Sequence, residues 1–425
     1  MYKKFYFFLI TILLLFTLAS CGKQPYVLDA YAIVYEDKIP YLINGVEEKF
    51  SLSKYDYIVD DFNEYITVGK YKNGILLYGL IKKNGEEIIK PKYLWASVVR
   101  ENKIVVTAKK QQQILNTNGK TLYKFPENVK SSSYFSDGFL LVEKDGKNTY
   151  MTDTFEILDY HFDYATPFKN GFACVGIIKD NQMKYGFLNT DGTMLEVDGE
   201  SYPFDFVDSF ENDLARVGFL NDAPSISATV GVNDYKFNYL KKDGSFLLAD
   251  NKVENNGKSY TLEYAQNFSS DGIALIGYYQ MIKESTFSVE KPYIQYFFID
   301  TNGKIASTRI NEGGMTGDSY FPGMAVCGVF RCRKRAVGAG AWKIYLTIFD
   351  EEKNIYTIDE FTDTDLTRNS TLSNTPPTEM TDFRISAYYY DSISIAKIRI
   401  ANGKFGMINS AGSLVLDVKY DKIIY

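Results

Sequence analysis

Four cations fall within five residues at Arg331, Arg333, Lys334 and Arg335. That charge density suits an anionic glycan, a lipid headgroup or an acidic protein patch; the alternative is a solvated hairpin tip. The run that follows, Val337-Gly338-Ala339-Gly340-Ala341, has neither the spacing nor the trailing Lys-Ser/Thr of a phosphate loop. Carboxylate pairs at Asp60-Asp61 and Asp205/Asp208 have the residue types for acid–base work on a glycoside. Aspartates in turn-rich connections also cap backbone N–H groups, which is the structural reading of the same residues. The chain has one histidine, His161, and nucleophilic triads and zinc sites mostly need more than that. Cys327 and Cys332 are five apart, so in one strand they face opposite sides and do not pair. With Cys174 they read as buried thiols rather than as a metal centre, since four spaced Cys/His ligands are missing. Tyr388-Tyr389-Tyr390 and Tyr278-Tyr279 could stack on sugar rings if exposed, but strand neighbours point to opposite faces and at least one of each group belongs in a core. This inventory predicts no enzyme, no cofactor and no metal.

The first residues carry chemistry of another kind. Lys3 and Lys4 are followed by a short apolar run from Phe5 to Phe16 and by Leu18-Ala19-Ser20-Cys21. The arrangement is that of a processing signal, and its end resembles a bacterial lipobox. That resemblance implies lipid attachment to the Cys21 thiol, cleavage before it and acylation of the new amino terminus. A transmembrane anchor is the competing reading, and the apolar run is about the shortest that could span a bilayer. Each buried methylene adds ~0.8 kcal/mol, so two or more acyl chains hold a protein stably on a membrane. Residues 1–20 are then a signal peptide and 21–29 a tether, and the expected location is the bacterial cell envelope, on the outer membrane or cell surface. Removing Lys3 and Lys4 leaves 45 basic against 53 acidic residues, net −8. A general nucleic-acid partner would favour a basic field, so none is expected.

The rest of the chain repeats one paragraph. Tyr and Phe, 35 and 30 of the 425 residues, suit pleated surfaces, and no amphipathic helix stands out. Turn centres recur at Asn44-Gly45, Asn84-Gly85, Asn118-Gly119, Asp191-Gly192, Asp243-Gly244, Asn302-Gly303 and Ala411-Gly412. Two further hairpins keep the flanking pattern around Asp153-Thr154 and Lys353-Asn354, which makes nine units. Spacings of 40 and 34 residues early in the chain stretch to 52 and 59 later. Each unit reads as aromatic-Gly-apolar-apolar, an Asx-Gly turn, an apolar pair and an aromatic segment before an Ala-x-Val strand. Tyr78-Gly79-Leu80-Ile81 with Asn84-Gly85, Ile88-Ile89, Pro91 and Tyr93 is one copy; Tyr185-Gly186-Phe187-Leu188 and Phe405-Gly406-Met407-Ile408 begin two others. This pattern resembles the WG β-repeat of bacteria, with Tyr or Phe in place of its Trp, and with Gln113, Asn238 or Phe297 at its glycine elsewhere. The resemblance covers most of residues 30–425 and implies an architecture, with no catalytic residues to carry over.

A small meander cannot bury its own apolar face, so neighbouring units must stack. The expected fold is all-β: tandem β-meander repeats over 30–425 in a β-propeller-like ring of about 8–9 blades closed by pairing of the termini, with an open curved array as the alternative. The chain ends in the opening segment of a repeat, Val418 to Tyr425, and residues 30–50 supply its continuation. Insertions at 218–236, 277–295 and 328–343 all follow the Ala-x-Val strand, so stacking puts them on one rim, where Arg331, Arg333, Lys334 and Arg335 are the candidate binding residues. A fourth insertion, 362–380, is polar and Pro-broken. The expected function is a non-enzymatic, lipid-anchored scaffold binding a protein or polymer partner; the alternative is a glycan-binding or glycan-hydrolysing lipoprotein.

Overall fold

The computed structural model describes residues 32–43, 49–59, 63–109, 111–220, 235–255, 257–268, 272–282, 291–307, 329–335, 342–349, 355–362, 395–399, 404–409 and 414–424. Cys21 and the leader, Asp60, Asp61, Cys327, Tyr388 to Tyr390 and residues 363–380 lie outside them. Nine antiparallel sheets of three or four strands follow one another, with one two-stranded hairpin, Lys252–Asn255 and Lys258–Thr261, between the sixth and the seventh. Among the described residues the helical content is a single 3₁₀ turn at Ala249–Asn251.

In chain order the second unit is Tyr57–Ile58, Tyr65–Lys72, Ile75–Lys82 and Glu87–Tyr93; the third is Trp95–Ala96, Lys103–Ala108, Gln111–Asn116 and Thr121–Lys124. The fourth is Val129–Lys130, Phe135–Ser136, Phe139–Lys144 and Lys147–Thr152, and the fifth Tyr164–Ala165, Phe172–Lys179 and Gln182–Asn189. Phe206–Val207, Leu214–Leu220 and Tyr235–Lys241 form the sixth; Tyr264–Ala265, Ile273–Ile282, Lys291–Asp300 and Ile305–Ser307 form the seventh. Val329–Arg335, Trp342–Phe349 and Ile355–Thr362 make the eighth, and Ile395–Arg399, Phe405–Asn409 and Leu414–Tyr420 the ninth. The first unit joins both ends of the chain. Ala32–Glu36, Ile39–Ile43 and Lys49–Ser51 are completed by Lys422–Ile424, with Ile33 opposite Ile424 and Val34 opposite Ile423.

The long strands bury both faces where they cross the core, as at Ala32-Ile33-Val34, Ile104-Val105-Val106 and Ala173-Cys174-Val175, and there the sequence reads as a continuous apolar run rather than an alternation. Ala32 and Val34 pack with Met407 and Tyr420 of the ninth unit, while Ile33 packs with Ile66 and Val68 of the second. Ile104 and Val106 face the second unit, and Val105 between them faces the fourth. Ala173 and Val175 join Tyr150 of the fourth unit, and Cys174 joins Ala215 and Val217 of the sixth. Leu214, Phe237 and Tyr239 then meet Ala274 and Ile276 of the seventh. Successive units therefore share cores from the first to the seventh, and the ninth shares one with the first.

Side chains in the turn before the second long strand register the stack. Asn63 donates to Val99 O (2.8 Å), Glu101 accepts from Gly138 N (2.9 Å), and Asp137 accepts from Gly171 N (2.7 Å). Asn170 donates to Phe210 O (2.8 Å), and Asn267 reaches back to Ser209 O (3.0 Å). This ladder runs unbroken from the second unit to the seventh and puts like turns side by side. The hairpins joining the two long strands of the second to the fifth units lie at the opposite ends of those strands.

The family glycine has a steric cause. Tyr78 pairs with Tyr93 and Leu80 with Ile89, so one residue, Gly79, spans three on the partner strand. Phe405 opposite Tyr420 and Met407 opposite Leu416 repeat this bulge at Gly406. A methyl on Gly79 would overlap Ile89 O and lie 2.7 Å from Pro91 N; one on Gly186 would overlap Ser201 O. The return after Asp191-Gly192 is correspondingly broken: Met194 to Val197 touches the sheet at Leu188 and Phe187, departs, and the chain rejoins where Phe204 bridges Tyr185.

Two units without this glycine, the fourth and the sixth, bridge the same gap with a polar side chain. Thr149 donates to Leu158 O (2.8 Å). Asn238, 2% exposed, donates to Leu248 O (2.8 Å) and Asn251 Oδ1 (2.6 Å) and accepts from Tyr239 N (2.7 Å). Asn238→Ala leaves those groups buried without partners. An unsatisfied buried group costs roughly 1–3 kcal/mol, so the variant is expected to lose about 2–3 kcal/mol, read from the midpoint of urea unfolding.

Candidate binding rim and polar cleft

A second glycine recurs in the repeat, flanked across strands by aromatics. Tyr57, Gly69 and Tyr78 lie opposite one another; so do Tyr164, Gly176 and Tyr185, then Phe206, Gly218 and Phe237, then Tyr264, Gly277 and Tyr296. The rings meet edge to face over the bare backbone, at 6.1 Å for Tyr57–Tyr78, 5.4 Å for Tyr164–Tyr185 and 5.7 Å for Phe206–Phe237. A side chain at the glycine would occupy the space the rings use. Just before three of the four triplets an aspartate caps the end of the second strand: Asp56 accepts from Tyr71 N (2.7 Å), Asp163 from Ile178 N (2.9 Å) and Asp205 from Leu220 N (3.0 Å).

This accounts for the carboxylates singled out from the sequence. Asp205 also pairs with Lys184 (2.5 Å), and Asp208 pairs with Arg216 Nε (2.7 Å), whose guanidinium lies over the Phe206 ring at 4.7 Å. They are parts of the repeat and do not converge on a pocket. His161 is 67% exposed, with Asp159 at 3.9 Å. Tyr278 is buried, stacked between Tyr260 (4.2 Å) and Phe297 (4.8 Å), whereas its neighbour Tyr279 is exposed, as the strand alternation predicts. Cys174 is buried against Ser209 Oγ (3.9 Å), and burial pushes its thiol up to about 12. The thiolate is the reactive form, so Cys174 is expected to stay unlabelled by iodoacetamide at pH 8 in the native chain and to react fully in urea, mapped by mass spectrometry.

Arg331, Arg333, Lys334 and Arg335 prove to be strand rather than loop. They lie on Val329–Arg335, in register with Leu346, Ile344, Lys343 and Trp342, because the strand pair extends almost to the hairpin end. The remaining connection, 336–341, lies outside the described residues, as do 221–234 and 283–290 of the other two insertions. Those insertions too are partly hairpin strand: Gly218 pairs with Phe237 and Ile282 with Lys291. The hairpin ends of the first, second, fifth and seventh units carry exposed apolar side chains, at Ile39, Tyr71, Ile75, Ile178, Tyr279 and Met281.

The third and fourth units break the aromatic–glycine–aromatic rule. Their equivalents are Trp95–Thr107–Gln112 and Lys130–Glu143–Asn148. Five of these six residues, with Ser131, Ser132, Ser133, Leu141 and Val142, line a cleft of about 430 Å³. The Gln112 amide donates to Ser131 O (2.8 Å) and accepts from Ser131 N (2.7 Å), and Ser131 Oγ donates to Leu141 O (2.7 Å). Lys130 and Glu143 pair at 2.9 Å, and Asn148 Nδ2 donates to Asp163 O (3.2 Å). Sequence reasoning passed over these residues. The available signal was that Gln112 and Asn148 stand where Tyr78 and Tyr185 stand, and Thr107 and Glu143 where Gly69 and Gly176 stand.

No curated protein matches this chain. Among solved structures, a putative TolB from Agrobacterium tumefaciens is similar at 10% identity over 57% of this chain and 84% of its own, with a TM-score of 0.25. The Pan2 WD40 domain of Neurospora crassa is similar at 11% identity over 52% of this chain and 85% of its own, TM-score 0.25. The β-propeller domain of the Trilobed protease from Pyrococcus furiosus, with its open velcro topology, is similar at 11% identity over 87% of this chain and 97% of its own, TM-score 0.32. The WG-containing repeat matches residues 78–109 and 156–177; the first match runs from Ile75–Lys82 of the second unit through Lys103–Ala108 of the third, and the second from just past Lys147–Thr152 of the fourth unit into Phe172–Lys179 of the fifth. This chain carries WG-containing β-repeats.

Proposed function

We propose that the chain is a non-enzymatic, lipid-anchored scaffold of the bacterial cell envelope, whose units close into a ring of nine blades and whose hairpin rim docks a protein or polymer partner. What supports the docking reading is that exposed apolar side chains stand at hairpin ends, at Ile39, Tyr71, Ile75, Ile178, Tyr279 and Met281, and that each of the three insertions joins the two long strands of its unit. The other end is tied together by the side-chain ladder, and loops on a rigid frame are where binding surfaces are built. Shared cores between the ninth and first units, and the strand made from the chain's end, support the ring. Leu18-Ala19-Ser20-Cys21 supports the anchor.

The docking test replaces 221–234, 283–290 and 336–341 by two-residue turns and repeats a pull-down from envelope extracts. Loss of a retained partner is expected; an unchanged set of partners would sink the rim. Metabolic labelling with a tritiated fatty acid, abolished by Cys21→Ser, tests the anchor. Small-angle scattering of the mature chain separates a flat disc from an open arc. A glycan-binding reading is favoured by one specific feature, the cleft at the third and fourth units. That cleft holds a single carboxylate, Glu143, whereas glycoside hydrolysis commonly uses two.

A further inference from the structure

The cleft lies where the repeat stops obeying its own packing rule. In three other units two rings meet edge to face over a glycine at the triplet position. The third and fourth units put an indole, two amides, an ammonium and a carboxylate there instead, and a hollow of about 430 Å³ results. That volume is within the range of small-ligand pockets, about 300–1,000 Å³. Glu143 and Asn148 flank the hairpin Lys144–Lys147, so the cleft opens at the hairpin end of the stack.

We infer that this cleft is a saccharide-binding site that takes a short segment of a neutral glycan. The inference rests on the hairpin rim being the binding face. Trp95 is half-buried, and an aromatic face is what the C–H face of a sugar ring packs against. Lys130 and Glu143 cancel at 2.9 Å, which leaves the cleft without net charge and gives no advantage to an anionic or cationic ligand. Gln112 and Ser131 lock each other through two hydrogen bonds, so the wall is set before a ligand arrives. Ser132 is exposed, and the side chains of Ser132 and Ser133 make no hydrogen bond to a described residue; with Asn148 Oδ1 they offer the hydroxyl and carbonyl groups that read sugar hydroxyls. A purely apolar ligand would strand these groups, and a bulky protein surface would not enter a hollow of this size.

The chain's two tryptophans give the assay. In a Trp342→Phe background Trp95 is the sole indole emitter. The full chain is titrated with tetrasaccharides of β-1,4-glucan, xylan, α-1,4-glucan and chitin to about 10 mM, a limit that still registers millimolar binding. At least one is expected to shift the emission saturably. By calorimetry, Trp95→Ala should weaken that ligand about tenfold or more, equivalent to roughly 1.4 kcal/mol, while Trp95→Tyr keeps most of the affinity. Ser132→Tyr, which fills the hollow from an exposed position, should abolish binding, and it decides the matter if Trp95→Ala fails to fold. Absence of a saturable shift with every tetrasaccharide, or an unchanged affinity in Ser132→Tyr, overturns the inference. Running the unaltered chain through the envelope pull-down keeps the two readings apart: partner capture by a chain that binds none of the tetrasaccharides removes the cleft and leaves the rim.

Discussion

Gly186→Ala is expected to be among the most damaging single substitutions in this chain, at a cost of about 3 kcal/mol or more. The added methyl meets the carbonyl of Ser201, and the backbone has no rotamer with which to move aside. Overpacking of a well-filled site typically costs roughly 1–3 kcal/mol, and this clash belongs at or above the top of that range because main chain opposes it. Gly79→Ala should behave alike, since Ile89 O and Pro91 N occupy the equivalent space. Gly176→Ala is the control. Its methyl would meet Met183 Sδ at 3.0 Å and the Tyr185 ring at 3.0 Å, both side chains that can rotate, so about 1 kcal/mol is expected. Urea midpoints of the three variants, compared with the parent, give the ranking. Equal effects at Gly176 and Gly186 would show that general strand propensity, rather than the crossing main chain, sets the demand for glycine.

Removal of residues 422–425 is expected to have a still larger effect. The strand Lys422–Ile424 is short, but its two isoleucines go to different places. Ile423, 1% exposed, enters the core shared by the first and ninth units, and Ile424, 4% exposed, enters the core shared by the first and second. Truncating a buried isoleucine to alanine costs roughly 2–5 kcal/mol, so losing both removes about 5 kcal/mol, a large part of the 5–15 kcal/mol that holds a typical domain. Asp421 adds to the joint by accepting from Lys38 N (3.2 Å) and pairing with Lys404 Nζ (2.6 Å), which holds its carboxyl below the usual carboxylate range. Deletion also leaves Ala32–Glu36 as an unpaired edge, open to a second chain. The expected readouts are a lower urea midpoint and concentration-dependent oligomers on size-exclusion chromatography. Ile423→Ala and Ile424→Ala separate the two interfaces; a full-length-like midpoint after the deletion would mean that the termini do not hold the first unit together.

The repeat itself was legible because its causes are local. Asx-Gly turns announce hairpins wherever positive φ is needed, and Gly192, Gly244 and Gly303 have it. Continuous apolar runs such as Ala173-Cys174-Val175 announce strands covered on both faces. Pairing of the chain's two ends was legible for the same reason: a unit begun at Val418 lacked strands that residues 30–50 possessed. The basic stretch, expected on a connecting loop, lies on the strand Val329–Arg335, since charge density does not say how far a hairpin's strands run.

By itself the sequence determined an all-β chain of meanders and, among the described residues, the turns at Asn84-Gly85, Asn118-Gly119, Asp153-Thr154, Asp191-Gly192, Asp243-Gly244 and Asn302-Gly303. Which residues share a surface was decided only by the tertiary structure. Trp95, Gln112, Lys130, Glu143 and Asn148 sit on five different strands of two sheets, and nothing in their linear order marks them as neighbours. Register places them together, and register is set by the cross-unit ladder and by cores that form only when two meanders meet. The physical reason is that a sheet buried on both faces fixes its partners through contacts remote in sequence.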